Sequence, residues 1–196
     1  MIAQKDIPQN QELFTCYLGS VKDAMDPDKG QSFYTFGSID QSVVSGQEIH
    51  YTPIDNSQGF WTFDSPTATV NGQTIQLQGN TATADTGTTL IMASDDLCQA
   101  IYGQIQGAVL DDQQGGWIFP ANIPIDELPQ VSVAVGGKLF NVEKEHLAFA
   151  PVDESGSMTY GGIQPRGDLP FDIFGDTFLL GVYAVSPLLG IALLVY

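Results

Sequence analysis

The chain has 196 residues, enough to bury a sizeable core, and its 43% hydrophobic and 15% charged content is that of a globular protein rather than a disordered one. Acids outnumber bases 23 to 6, a formal charge of −17, which sets nucleic-acid binding aside because a phosphate backbone would be repelled. The same excess suits a protein working in acid, where protonation relaxes self-repulsion, and equally suits solubility alone.

Read in chain order, Met1 to Asp6 is too polar for a signal peptide, so an export signal would lie outside these residues. Short strand-like runs follow. Leu13 to Leu18, the polar turn Asp26-Pro27-Asp28-Lys29-Gly30 and Ser32 to Phe36 read as a hairpin. Runs at Ile49 to Thr52, Phe60 to Phe63 and Ala68 to Val70 come next, and Asn71-Gly72 predicts a tight turn into Ile75-Gln76-Leu77. Ser94 or Asp95 can cap a helix with Leu97, Ala100, Ile101 and Ile105 on one face and Gly107 as its stop. Val131 to Val135, Gly136-Gly137 and Leu139 to Val142 read as another hairpin, and a short helix beginning near Glu143 would carry His146 and Leu147. The closing run Leu188 to Tyr196 is far short of the ~20 residues of a membrane helix and reads as a buried strand. Frequent turns, no repeat and no linker predict one mainly β domain over 1–196, with one or two short helices.

Cys16 and Cys98 sit among apolar neighbours and read as buried free thiols in preference to a mutual disulfide. His50 and His146 have no partners at ligand spacing, so neither a metal nor a cofactor is expected.

The chemistry concentrates in Thr81-Ala82-Thr83-Ala84-Asp85-Thr86-Gly87-Thr88-Thr89, where an apolar strand delivers an acid into a tight, hydroxyl-rich turn. By itself Asp-Thr-Gly is a weak signal, and an Asx turn in which Asp85 bonds its own backbone accounts for it as well. Downstream, Phe171-Asp172-Ile173-Phe174-Gly175-Asp176 puts two apolar residues before a glycine and an acid. Gly116-Trp117-Ile118-Phe119-Pro120 and Tyr160-Gly161-Gly162-Ile163-Gln164 lie between the two segments. Leu13 to Leu18, Phe36-Gly37-Ser38-Ile39-Asp40 and Gly59-Phe60-Trp61 precede them.

In this order, over almost the whole chain, these segments resemble the C-terminal lobe of fungal pepsin-like aspartic proteases. The resemblance implies a single β-barrel lobe, half of a two-lobed enzyme, with Asp85 as one of two catalytic aspartates. It implies that Thr86 grips the opposing lobe, Gly87 bonds substrate backbone and Thr88 orients the carboxylate. Ile173, Phe174 and Gly175 would support the catalytic turn. Phe60, Thr83, Gly87 and Ile173 fall where the family lines substrate pockets, and for Phe60, Thr83 and Ile173 core packing is an equal reading. Aspartic proteases hold a water between two Asp carboxyls ~3 Å apart that share one proton, an established feature of the class.

The sequence also departs from that pattern. It contains one Asp-Thr-Gly, so the chain alone offers half a dyad and is expected to be inactive as a monomer. Asp40 lacks the Thr-Gly continuation, and Asp176 is read as a cap or brace for the loop after Gly175. A disulfide common in the family's C-terminal lobe would fall near Ala121 and Tyr160, and its absence removes ~2–4 kcal/mol of cross-link stabilisation. The expected partners are a peptide or protein substrate and a second lobe, either an N-terminal lobe in trans or another copy; nucleic acid and membrane are not expected. A secreted or vacuolar location follows from the resemblance alone. A non-catalytic, peptide-binding lobe is the alternative.

Overall fold

The computed structural model describes residues 6–8, 11–20, 22, 31–187 and 190–195. Alternation of apolar and polar residues in short runs produces strands of three to six residues, which assemble into four sheets. Leu13–Tyr17 pairs antiparallel with Phe33–Phe36, as the hairpin reading expected, while the turn at 26–30 lies outside the described residues. That pair continues through Val182–Pro187 and Gly190–Val195 to His50–Pro53, forming a five-stranded sheet. Of the closing run, Gly190–Val195 forms a strand, and residues 188, 189 and 196 lie outside the described residues.

Asn71 and Gly72 both adopt positive φ, 50° and 76°. This left-handed pair is what a two-residue hairpin turn requires, and it joins Thr67–Val70 to Gln73–Gln76. The hairpin Val131–Val135/Lys138–Val142 completes the same sheet. A third sheet contains Val109–Asp111, Gly116–Pro120, Ala148–Pro151 and Met158–Gly161. Ile118 pairs with Tyr160, and the Ala121 N–H donates to the Ser157 carbonyl. Backbone pairing thus holds the place that the disulfide occupies in the family, and both cysteines of this chain are free and buried, as the sequence reading expected.

The helix Asp95–Tyr102 opens as anticipated, with the Ser94 hydroxyl accepting from the Leu97 N–H and with Asp95 and Asp96 in the first turn. It ends at Gly103, not Gly107. Beyond that point the chain continues in i→i+3 turns, the Gln104 N–H reaching the Ile101 carbonyl and Ile105 that of Tyr102, so Ile105 is buried without being helical. Lys144–His146 is a single 3₁₀ turn. Two four-residue helices, Gln41–Val44 and Asp176–Leu179, were not anticipated.

The fourth sheet runs, edge to edge, through Ile163–Pro165, Ile91–Ala93, Asp172–Phe174, Thr81–Ala84 and Thr62–Asp64. Phe63, Ala82, Ile91, Phe174 and Phe178 are buried in the main core cluster, with the Phe63 and Phe174 rings 5.8 Å apart and those of Phe174 and Phe178 5.0 Å apart. Burying each such aromatic side chain is worth roughly 1.5–3 kcal/mol. A smaller cluster under Gln41–Val44 is built on Val44, Tyr183 and Val185.

Candidate active site

Thr81–Ala84 and Asp172–Phe174 run parallel, with Asp172 opposite Ala82, Ile173 opposite Thr83 and Phe174 opposite Ala84. On its other side Asp172–Phe174 pairs antiparallel with Ile91–Ala93. The later segment therefore threads between the two strands that flank the Asp85 turn. Three backbone bonds hold the crossing: the Asp85 N–H donates to the Phe174 carbonyl (3.1 Å), Asp176 to Thr88 (2.8 Å) and Thr177 to Thr89 (2.9 Å). The approach is so close that a Cβ on Gly175 would collide with the carbonyl oxygens of Thr88 and Leu90. That packing is the physical reason for a glycine after the apolar pair.

Asp85 is partly exposed at the head of its turn. One carboxylate oxygen accepts from the Gly87 N–H at 2.9 Å, and the other from the Thr88 hydroxyl at 2.7 Å. The Asx-type bond is thus present, but together with a second donor and the Gly175 crossing it fixes the carboxylate at the surface instead of consuming it. Thr86 is exposed and shares a hydrogen bond with the Tyr34 hydroxyl. Tyr34 in turn bonds the buried Cys16 thiol, which burial, more than any neighbour, pushes above its ordinary range. Asp176 starts the short helix after Gly175. Burial first, and then the charge of Asp85, push its carboxyl above the usual Asp range.

Of the residues expected to line substrate pockets, Phe60 is 53% exposed, which argues against a core role. Its ring lies 5.4 Å from that of Phe171, and both border a depression of about 640 Å³ that also includes Thr62, Asp55 and Asp64. Thr83 is buried and Ile173 half-buried; they sit side by side in register, next to Thr62 and Met92. Sequence reasoning missed Tyr34, whose signal was an ordinary strand alternation. It also missed the cluster of half-buried Asn80 and Arg166 around the buried Asp172, which no motif announces.

The turn thus presents a strand-delivered aspartate, gripped by a glycine N–H and a threonine hydroxyl above a glycine crossing. The profile of the family "Eukaryotic aspartyl protease" matches residues 1–187, and the chain belongs to that family. It is 37% identical over 190 residues to Aspergillopepsin-1 of Aspergillus flavus, covering 91% of this chain and 46% of that protein. It is 41% identical over 152 residues to the "Aspartic protease pepA" of Leptosphaeria maculans, covering 78% of this chain and 36% of that protein. The chain spans about half the length or less of these relatives. The crystal structure of the aspartic proteinase from Irpex lacteus shares the fold, with a TM-score of 0.75 and 22% identity over 99% of this chain and 58% of that one.

Proposed function

We propose that this chain is the C-terminal lobe of an acid endopeptidase and supplies Asp85 as one carboxyl of a catalytic pair. The observation that carries this reading is the Asp85 carboxylate, held by Gly87 and Thr88 yet partly open to solvent. A second lobe brings the other aspartate, and one proton shared between the two lets one carboxyl act as base toward water while the other donates to the scissile carbonyl. In this assignment Thr88 orients Asp85, Gly87 offers its backbone to the substrate, and Thr86 braces the partner lobe. Ile173, Phe174 and Gly175 hold the turn from beneath. Phe60, Thr83 and Ile173 contribute to the pockets that take substrate side chains. The whole of residues 1–196 acts as this one lobe. Its substrates are peptides or proteins, in the secreted or vacuolar setting the family resemblance implies.

The second lobe is an N-terminal lobe in trans or another copy of this chain. Two copies would each carry a formal charge of −17 at pH 7, so self-association belongs to acid, where carboxylates protonate. The single Asp-Thr-Gly also favours one other reading, a lobe that holds peptide without cutting it. Peptide cleavage at about pH 3–5 separates the readings. The chain is assayed alone and mixed with the N-terminal half of the Aspergillus flavus relative, each with and without Asp85→Asn. Cleavage in the mixture that vanishes with Asp85→Asn is the expected result. Acid cleavage that survives the substitution rules out Asp85, and peptide affinity with no turnover in any mixture favours the binding lobe.

A further inference from the structure

The end of the fourth sheet remote from Asp85 holds a carboxylate that the catalytic reading does not use. Asp172 is fully buried. One of its oxygens accepts from Arg166 Nη1 at 2.6 Å, the other from Asn80 Nδ2 at 2.7 Å. Arg166 Nη1 also donates to Asn80 Oδ1 at 2.7 Å, closing a triangle of three side chains. The Asn80 amide reaches on to the Ser65 carbonyl at 3.2 Å, the Arg166 N–H to the Ala93 carbonyl at 2.8 Å, and the Ser94 backbone bonds Asp172.

These contacts share one location. Asn80 precedes Thr81–Ala84, Ser65 follows Thr62–Asp64, and Ser94 follows Ile91–Ala93. Arg166 follows Ile163–Pro165, and Asp172 opens Asp172–Phe174. One polar cluster, built on the buried Asp172 with Asn80 and Arg166 half-buried around it, therefore ties together the ends of all five strands of the sheet, on the side opposite the Asp85 turn. Between Asn80 and Asp85 lie only four strand residues, a span of roughly 15 Å.

We propose that the Asn80–Arg166–Asp172 cluster is a positioning device that fixes the register of Asp172–Phe174 between its two neighbours, and with it the geometry of the Asp85 turn. A three-residue strand makes too few ladder bonds to define its own register, and a slip of one residue would bring Phe174 to the crossing where only Gly175 fits. A buried carboxylate cannot follow such a slip. Moving it would strand a charge away from its guanidinium and amide donors in the protein interior. The ion pair is thus a register pin for a strand too short to pin itself.

The inference concerns the turn's geometry; only its activity arm rests on reading Asp85 as catalytic. The test is hydrogen exchange on the full chain and on Arg166→Met, with Arg166→Lys as the milder variant should the first fold poorly. The amides of Asp85, Asp176 and Thr177 report the crossing, and those of Val131–Val135 and Lys138–Val142 serve as the internal reference. In Arg166→Met the crossing amides should exchange about tenfold or more faster than wild type while the reference hairpin changes little, and Arg166→Lys should fall between. Equal acceleration of crossing and hairpin would reduce the cluster to general stability and overturn the proposal, as would unchanged exchange at the crossing. In the mixed-lobe cleavage assay, Arg166→Met should lower kcat with KM nearly unchanged. Absence of cleavage by the wild-type mixture counts against the catalytic reading, and the exchange comparison still decides the register pin.

Discussion

Asp85 owes its orientation to two donors of different kinds. The Gly87 N–H is backbone and survives every substitution but proline, whereas the Thr88 hydroxyl, 2.7 Å from Oδ2, can be removed cleanly. A hydrogen bond to a charged group is worth roughly 1.5–3 kcal/mol, and about 1.4 kcal/mol is a factor of ten in rate. Thr88→Val should therefore cost the two-lobe mixture about tenfold or more in kcat/KM, while Thr88→Ser, which keeps the hydroxyl, should stay within about threefold. Equal losses in the two variants would mean that bulk, not the hydroxyl, matters. Asp176 makes a different prediction. Its carboxyl sits above the ordinary range because of burial and the nearby Asp85 charge, so the native state holds that proton more tightly than the unfolded chain. Its contribution to stability is full in acid and is lost as pH rises through the folded value. Asp176→Asn cannot titrate, so its melting temperature should fall less than wild type between about pH 4 and about pH 7. Identical slopes would take Asp176 out of the account.

The crossing of Asp172–Phe174 beneath the turn depends on one missing side chain. A Cβ at Gly175 would strike two backbone carbonyls, which cannot rotate away as a flexible side chain could. Gly175→Ala should cost about 3 kcal/mol, the upper end of the usual range for overpacking, measured by denaturant unfolding. Gly137→Ala, in open space at a hairpin turn, is the matched control and should change stability by less than about 1 kcal/mol. This crossing was legible in the sequence because family resemblance placed Ile173-Phe174-Gly175 under Asp85. The hairpins were legible from local signals, as at Asn71-Gly72 and at Gly136-Gly137. What stayed hidden is held by distant partners. The Asp176–Leu179 helix is one turn long, too short for any periodicity, and is fastened by N–H groups bonded to the Thr88 and Thr89 carbonyls. Asn80 and Asp172 lie 92 positions apart, and nothing in their flanks marks them as partners. The helix after Ser94 was misjudged only at its end, where Gly103 closed it before Gly107 could.

Over the whole molecule, the buried and exposed acids pull stability in opposite directions with pH. Burial pushes Asp172 upward against the pull of Asn80 and Arg166, so, like Asp176, it stabilises the fold in acid and loses that contribution as pH rises. The charged group facing it is Arg166; the nearby Cys98 thiol is pushed up to about 12, first by burial and then by Asp95 and Asp172, and stays neutral. Asp40, Asp55 and Asp153 go the other way. Bonds from Ser42, Ser57 and Ser155 hold their carboxyls below the ordinary range, so their contribution is present above that range and is lost only as pH falls through their folded values. Stability should therefore peak in mild acid, below neutrality and above the titration of the serine-bonded group. At pH 7 the formal charge of −17 adds long-range repulsion on the same side of the peak. Salt tells the two causes apart, because at 1 M the screening length shrinks to about 3 Å, which weakens surface repulsion and leaves the buried Asp172 environment nearly untouched. Added salt should raise the melting temperature at pH 7 more than at about pH 4, without bringing the neutral value up to the acid one. Full recovery by salt would assign the entire pH dependence to surface charge, and no recovery would assign it to the buried carboxyls.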